Sequence, residues 1–403
     1  MSFDLLQAFQ TAVNRHGLRY GNARIQTAHR DDIGACLLKG YAGLPDAYSR
    51  RAFFASPPKT EGSSTSSPLV SIIVPAFNVE GTVSASMESL LAQDYPNFEV
   101  ICIDDGSIDA TAGILDGFAE KDSRVRVVHK SNGGYGSAIN IGIDSAHGEW
   151  IGILEADDVC KPDMLSRLVA EGSRHNADMV KADWYLWRQE NGDVRPAGKI
   201  LRSWCGHFLS RKERLALCRV SPAIWSALYR RSFLDGNSIR CLETPGAAFQ
   251  DTSFNIKAIL SADRLVAVKD AFVSYRQDNP QSSVRSRVAA MSIIREYSAM
   301  DEYLKCRPDI AEWAAGCVRE LEYSAYLWNL KRIAPGLRSG FVDAARERLS
   351  DYGLFASPVE LLRKIDGKVA RRERRSHRQV SLHVNSRRAE LLFRGRTVFC
   401  LSY

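Results

Sequence analysis

The chain has 403 residues, 45% hydrophobic and 25% charged, which allows two or three domains with real cores and matches soluble globular composition. Its nine cysteines include no C-x-x-C pair, which argues against a zinc ribbon and against a secreted disulfide scaffold. The net charge of +7 favours anionic partners such as sugar nucleotides, phospholipid or nucleic acid, without choosing among them.

The start carries no signal-peptide pattern, and no run of about 18 apolar residues occurs. The expectation is a cytosolic protein whose membrane contact, if any, is peripheral. Residues 1–56 read as a small, mostly helical segment, and residues 57–68, rich in Pro, Ser, Thr and Gly, as a linker. Leu69 to Val74 is a short β-branched run that predicts a buried strand, with Pro75 to Asn78 as its turn. Val79, Val83, Met87, Leu90 and Leu91 recur at helical spacing. Phe98 to Ile103, Arg124 to His129, Trp150 to Leu154 and Asp178 to Trp187 predict further strands. Helices are predicted over Ile114 to Lys121, Ser137 to Ala146 and from about Pro162 to Asn176. This alternation predicts right-handed βαβ units and a mainly parallel sheet. Met291 to Lys331 and Phe341 to Leu349 read as amphipathic helices. Arg371 to Arg378 is a basic run, and Leu391 to Tyr403 alternates enough for a terminal strand or hairpin.

Two strand ends are acidic. Val100 to Ile103 runs into Asp104-Asp105-Gly106-Ser107, and Trp150 to Leu154 runs into Glu155-Ala156-Asp157-Asp158. Carboxylates this close repel one another unless a hard cation sits among their oxygens. Ligands on parallel sheets lie outside the carboxyl ends of the strands. Both clusters should therefore face one crevice, with the character of a nucleoside diphosphate and metal site.

With these residues in view, the stretch from about 69 to 285 resembles the family 2 glycosyltransferases of the GT-A fold. Six pieces occur in order: Val70 to Asn78; Ile103 to Ser107; Asn132-Gly133-Gly134 with Asn140; Leu154 to Asp158; Gly246 to Phe254; and Tyr275 to Pro280. The resemblance implies an α/β, Rossmann-like, mainly parallel sheet flanked by helices. It sets a catalytic domain at 69–290 and leaves 291–403 as a helical region with a basic tail. It implies inverting transfer of one sugar from a nucleotide diphosphate-sugar, uridine first, to a hydroxyl of a glycan or lipid-linked acceptor. A hexosyl- or N-acetylhexosaminyl-transferase of polysaccharide biosynthesis is the expected class.

The resemblance also distributes roles. Pro75, Ala76, Phe77 and Asn78 would lie at the base and ribose. Asp104 or Asp105 would accept from the base, the other capping the following helix through Gly106-Ser107. Asn132, Gly133 and Gly134 would bring backbone N–H groups towards the donor. Asp157 would be the principal ligand of a divalent cation, Mn²⁺ or Mg²⁺, with Asp158 beside it. Glu155 and Ala156 would line the donor, Glu155 standing where the family usually has Asp. Asp251 would be the general base, at a helix start that favours its charge. Trp225 and Gln250 would meet the acceptor, and Arg276 would close over the diphosphate. Ile139 stands where relatives often carry Arg.

Other classes fit less well. A nucleotidyltransferase would need a Gly-rich basic loop after the first strand, and a dehydrogenase a G-x-G-x-x-G there. Glu155 and Ile139 permit a degenerate sugar-nucleotide-binding scaffold. The basic run admits contact with anionic lipid, but it lacks interleaved aromatics for nucleic acid. The long C-terminal helices leave room for a homodimer.

Overall fold

Strand β1, Val70–Ala76, is buried along its whole length, as expected for β-branched residues in the middle of a parallel sheet. The computed structural model describes residues 67–350, apart from 189, 191, 221, 280–290 and 333, and the backbone of 380–385, 388–393 and 396–402. The predicted N-terminal segment, linker residues 57–66, Pro280 and the basic run Arg371 to Arg378 lie outside the described residues.

After β1 come α1 (Val83–Leu91), β2 (Phe98–Asp104), α2 (Thr111–Lys121), β3 (Val125–His129), α3 (Tyr135–Ser145) and β4 (Trp150–Ile153). Next are β5 (Val159–Cys160), α4 (Met164–Arg174), β6 (Met179–Arg188), β7 (Asp193–Pro196), α5 (Arg211–Cys218), β8 (Ala227–Arg230) and α6 (Arg231–Gly236). The chain continues through α7 (Gln250–Ser261), β9 (Leu265–Arg276), α8 (Ser292–Cys306), α9 (Pro308–Arg332) and α10 (Arg338–Ser350). A separate antiparallel meander holds β10 (Val380–Asn385), β11 (Arg388–Phe393) and β12 (Arg396–Ser402).

The main sheet runs β3-β2-β1-β4-β8-β6-β9-β5, with β7 on β6. β1 is parallel to both β2 and β4, and β6 is parallel to β9. β8 enters antiparallel between β4 and β6. The expected α/β architecture with a mainly parallel sheet is therefore present, with β5, β7 and β8 as antiparallel additions. Register sets Ala76 opposite Asp104 and Ile73 opposite Ile153, so three strands end along one edge. The core lies on both faces of β1, where Ile72, Ile73, Met87, Leu90, Ile101 and Trp150 are fully buried. Cys102 and Cys160 are buried within it, and burial pushes both thiols up to about 12, so they pack as small hydrophobes.

The predicted helix over Met291 to Lys331 is two helices. Arg307, between them, leaves the helical region at φ −130° and ψ 68°. The next residue is Pro308, which disfavours helical geometry before it and suits the first turn of a new helix. Both helices are tied to the sheet domain. Tyr303 bonds Ser261, and Arg219 pairs with Glu320 at 2.7 Å.

One close approach fixes a glycine. A Cβ on Gly142 in α3 would stand 2.3 Å from Ile73 Cγ2 on β1. Gly142→Ala should therefore destabilise the protein by about 1–3 kcal/mol through overpacking. The check is a lower urea midpoint with unchanged slope; an unchanged midpoint would show that α3 does not sit this close.

Candidate active site

The crevice outside β1, β2 and β4 is built from groups of two kinds, those tied into the fold and those left facing the opening. Asp104, at the end of β2, belongs to the first kind. Its Oδ1 accepts the Ser107 N–H at 3.0 Å and its Oδ2 meets His129 Nδ1 at 2.9 Å. Burial works against its charge, but these bonds hold the carboxyl below its ordinary value. Asp104 thus closes the turn at Ser107 and does not cap the following helix, whose N-cap is Ala110 with no side-chain bond.

Asp105 braces a second loop. Its Oδ1 accepts from Gly133 N–H at 2.8 Å and from the Lys130 ammonium, and its Oδ2 accepts from Gly134 N–H at 2.8 Å. Gly134 has φ 90°, and a Cβ there would meet the Thr244 carbonyl at 2.4 Å. The Asn132-Gly133-Gly134 turn is therefore held from both sides, with the Gly133 and Gly134 N–H groups turned to Asp105. Asn132 is exposed.

At the end of β1, Pro75 and Ala76 are buried while the Phe77 ring is 46% exposed. Asn78 spends its side chain on the neighbouring turn: Oδ1 accepts the Ile108 N–H at 2.9 Å. Asn140, inside α3, pins the segment before α7, exchanging bonds with the Cys241 backbone at 2.9 and 3.0 Å.

The β4 end is the acidic centre. Ala156 is buried and its carbonyl accepts from the Thr82 hydroxyl at 3.0 Å. Glu155 Oε1 accepts the Tyr135 hydroxyl at 2.5 Å. Burial, with the charges of Asp157 and Asp251, pushes the Glu155 carboxyl up to about 8 against the pull of that bond. Asp157 is half-buried and its Oδ2 accepts from Asn279 at 2.6 Å. Asp158 is fully buried, and its Oδ1 accepts the Arg276 N–H at 2.8 Å. Its Oδ2 has no partner. Burial, then the Asp157 charge, drives Asp158 well above the usual carboxylate range.

Asp251 joins this centre from α7. It lies half-buried in the first turn, and Thr252 Oγ1 approaches its Oδ1 at 3.5 Å. Burial, then the charge of Glu296, pushes its carboxyl up to about 7. Its own charge reaches Glu155, Tyr135 and Tyr275. Lys181, fully buried on β6, feels Asp251 too; burial lowers its ammonium to about 7.

Three side chains expected at the substrate make contacts within the fold. Gln250 is 1% exposed. Its Oε1 accepts the Ala248 N–H at 2.5 Å, and its Nε2 donates to Thr244 Oγ1 at 2.9 Å and to the Gly246 carbonyl at 3.0 Å. Its amide thus shapes the loop before Asp251. Trp225 is 8% exposed and stacks on Tyr275 with centroids 5.0 Å apart. Arg276 bonds Asp278 through Nε at 3.1 Å, with its guanidinium 5.4 Å from the Trp187 ring centre.

Sequence reasoning passed over Tyr135, Lys130, Lys181 and Asn279. Lys181 carried a signal, as a basic residue set with Asp183 in the otherwise apolar run Met179 to Leu186. Tyr135 had only its place after the glycine turn.

No group of three or more His, Cys, Asp or Glu among the described residues could hold a metal alone. A cation that arrives with a diphosphate needs only one or two carboxylates. Asp157, with the orphaned Oδ2 of Asp158 beside it, fits that mode. No helix among the described residues is long and apolar enough to cross a membrane.

A family model described as Glycosyl transferase family 2 matches residues 71–236. The uncharacterized glycosyltransferase EpsJ of Bacillus subtilis (strain 168) is 31% identical over 242 residues, covering 59% of this chain and 67% of EpsJ. Glycosyltransferase GlyG of Streptococcus pneumoniae serotype 4 is 38% identical over 128 residues, 32% of this chain and 42% of GlyG. The crystal structure of S. aureus TarS 1–349 in complex with UDP-GlcNAc aligns with a TM-score of 0.48 at 18% identity, over 80% of this chain and 96% of that one. The chain belongs to glycosyl transferase family 2 and is a glycosyltransferase with the α/β fold described above.

The Asp105 brace is testable. Asp105→Asn removes one acceptor oxygen and leaves Lys130 without its charge partner. Stability should fall by about 3 kcal/mol, the scale for breaking a buried pair. Urea unfolding within about 0.5 kcal/mol of the parent would mean that the loop holds without Asp105.

Proposed function

We propose that the crevice binds a nucleoside diphosphate-sugar, uridine first, and transfers its sugar with inversion to a hydroxyl of a glycan or lipid-linked acceptor. Asp251 carries this reading. It is a half-buried carboxylate at a helix start, set near 7, in the field of the acidic β4 end. A general base works best with its pKa near the operating pH.

Ionised Asp251 takes the proton of the acceptor hydroxyl as its oxygen bonds the anomeric carbon. The bond from that carbon to the diphosphate oxygen breaks with it. Attack from the face opposite the leaving group inverts the centre. A divalent cation held by Asp157 beside Asp158 would offset charge on the leaving diphosphate. The exposed Phe77 ring at the β1 end suits the nucleotide base. Asp105 and Lys130 keep the glycine turn beneath the donor in one shape. Tyr135 fixes Glu155, the residue at the first position of the acidic signature.

Asp157→Asn should abolish Mn²⁺-dependent binding of UDP in calorimetric titration; undiminished affinity would remove the metal role. Asp251→Asn should keep UDP binding and lower transfer by about 10²–10⁴-fold. Near-normal turnover would assign the base elsewhere. Because Asp251 acts ionised, transfer should fall as pH drops below about 7.

A further inference from the structure

Helix α7 begins without a side-chain cap. Its N-cap position is held by Phe249, a hydrocarbon side chain at φ 70°, and no side-chain capping bond is made. The first N–H groups of a helix have no partner within it. Thr252 N–H turns to the Phe249 carbonyl at 2.8 Å. Ser253 N–H is met from another helix: it donates to Glu296 Oε2 on α8 at 3.0 Å. Glu296 is 1% exposed. It lies on the buried stripe of α8 with Ile293, Tyr297, Met300 and Leu304, where a charge is costly unless bonded.

We propose that Glu296 is a positioning residue for Asp251, an N-cap supplied from outside that fixes the first turn of α7 and sets the charge Asp251 experiences. The proposal rests on the reading of Asp251 as the base. It extends the catalytic unit to α8, beyond the stretch 71–236 matched by the family model.

The surroundings support a coupled pair. Burial, then the Glu296 charge, raises Asp251, and burial raises Glu296 to about 7 against the pull of the Ser253 bond and Lys257. Asp251 is also faced by Glu155 and Tyr135 from the β4 end and α3, by Tyr275 from β9, by Lys181 from β6, and by Cys241. Glu296 is faced by Lys257 on α7, by Cys241, and by Tyr297 on its own helix. Both carboxyls belong to the first turn of α7, Asp251 as one of its residues and Glu296 through the Ser253 N–H, and interacting carboxyls release protons as a pair.

Glu296→Gln separates cap from charge. The amide oxygen can still accept from Ser253, while the charge is gone. The measurement is an infrared titration of the protonated-carboxyl band of the full chain, from about pH 5 to pH 9 around the carboxyl and histidine range. The parent, Glu296→Gln, Asp251→Asn and the double variant are compared, and difference spectra isolate each carboxyl. In Glu296→Gln the Asp251 midpoint should fall by about one pH unit, tenfold in proton affinity. Coupling is reciprocal. Asp251→Asn, a change at a half-buried position, should therefore lower the Glu296 midpoint by the same amount, and this arm stands even if Glu296→Gln does not fold. Midpoints unmoved in the variants that fold would overturn the proposal. Normal turnover in Asp251→Asn would instead remove the base reading, so the two failures are distinguishable.

Discussion

Negative charge gathered away from water is the constraint around which this site is arranged. Glu155, Asp158, Asp251 and Glu296 each have a carboxyl raised chiefly by burial, and the charge of at least one neighbouring carboxylate adds to the rise in three of them. Only Lys181 and Lys257 among the described ammonium groups stand in that field, and burial lowers both. Such a cluster favours a bound proton or a cation over bare charge, because a carboxylate that binds metal does so in its ionised form. Electrostatic strain at the β4 end and near-neutral poise at Asp251 therefore have a common origin.

The fold keeps that charge in place by committing other polar groups to bracing. β1 pairs in parallel on both sides, so the ends of β1, β2 and β4 emerge along one edge. Asp104, Asp105, Asn140 and Gln250 then fasten the loops around that edge through bonds to backbone N–H groups. Of these, Asp104, Asp105 and Gln250 stand where the sequence admits a substrate contact. Their oxygens and amides are engaged, which leaves Phe77, Asp157 and Asp251 as the at least partly exposed groups of the site, together with the buried Oδ2 of Asp158, unpaired among the described residues. Bracing and the candidate chemistry are thus divided between adjacent residues at Gln250 and Asp251.

The βαβ half of the fold was legible because its signals are local. Buried strands such as Val70–Ala76 are continuous apolar runs, and the helices between them repeat at helical spacing. The stretch from Asp193 to Arg230 was not legible, since β8 is a four-residue antiparallel insertion whose place depends on β4 and β6 rather than on its own pattern. The break at Pro308 was readable from the proline but was outweighed by the amphipathic pattern on either side. The acidic strand ends were legible, and the parallel pairing brings them to one edge of the sheet. Composition could not say which carboxyl is spent on structure, because that depends on partners such as Ser107, Gly133 and Gly134 that approach from other loops. Trp225 shows the same limit, since only the fold brings Tyr275 onto its ring.

The most direct test of the account is calorimetric titration of the full chain with UDP and with GDP, each in Mn²⁺ and in EDTA. The account predicts that one of the two binds in Mn²⁺ and loses most of its affinity in EDTA. Absence of binding by either nucleotide, with or without the cation, would contradict a working donor site at the β1, β2 and β4 ends.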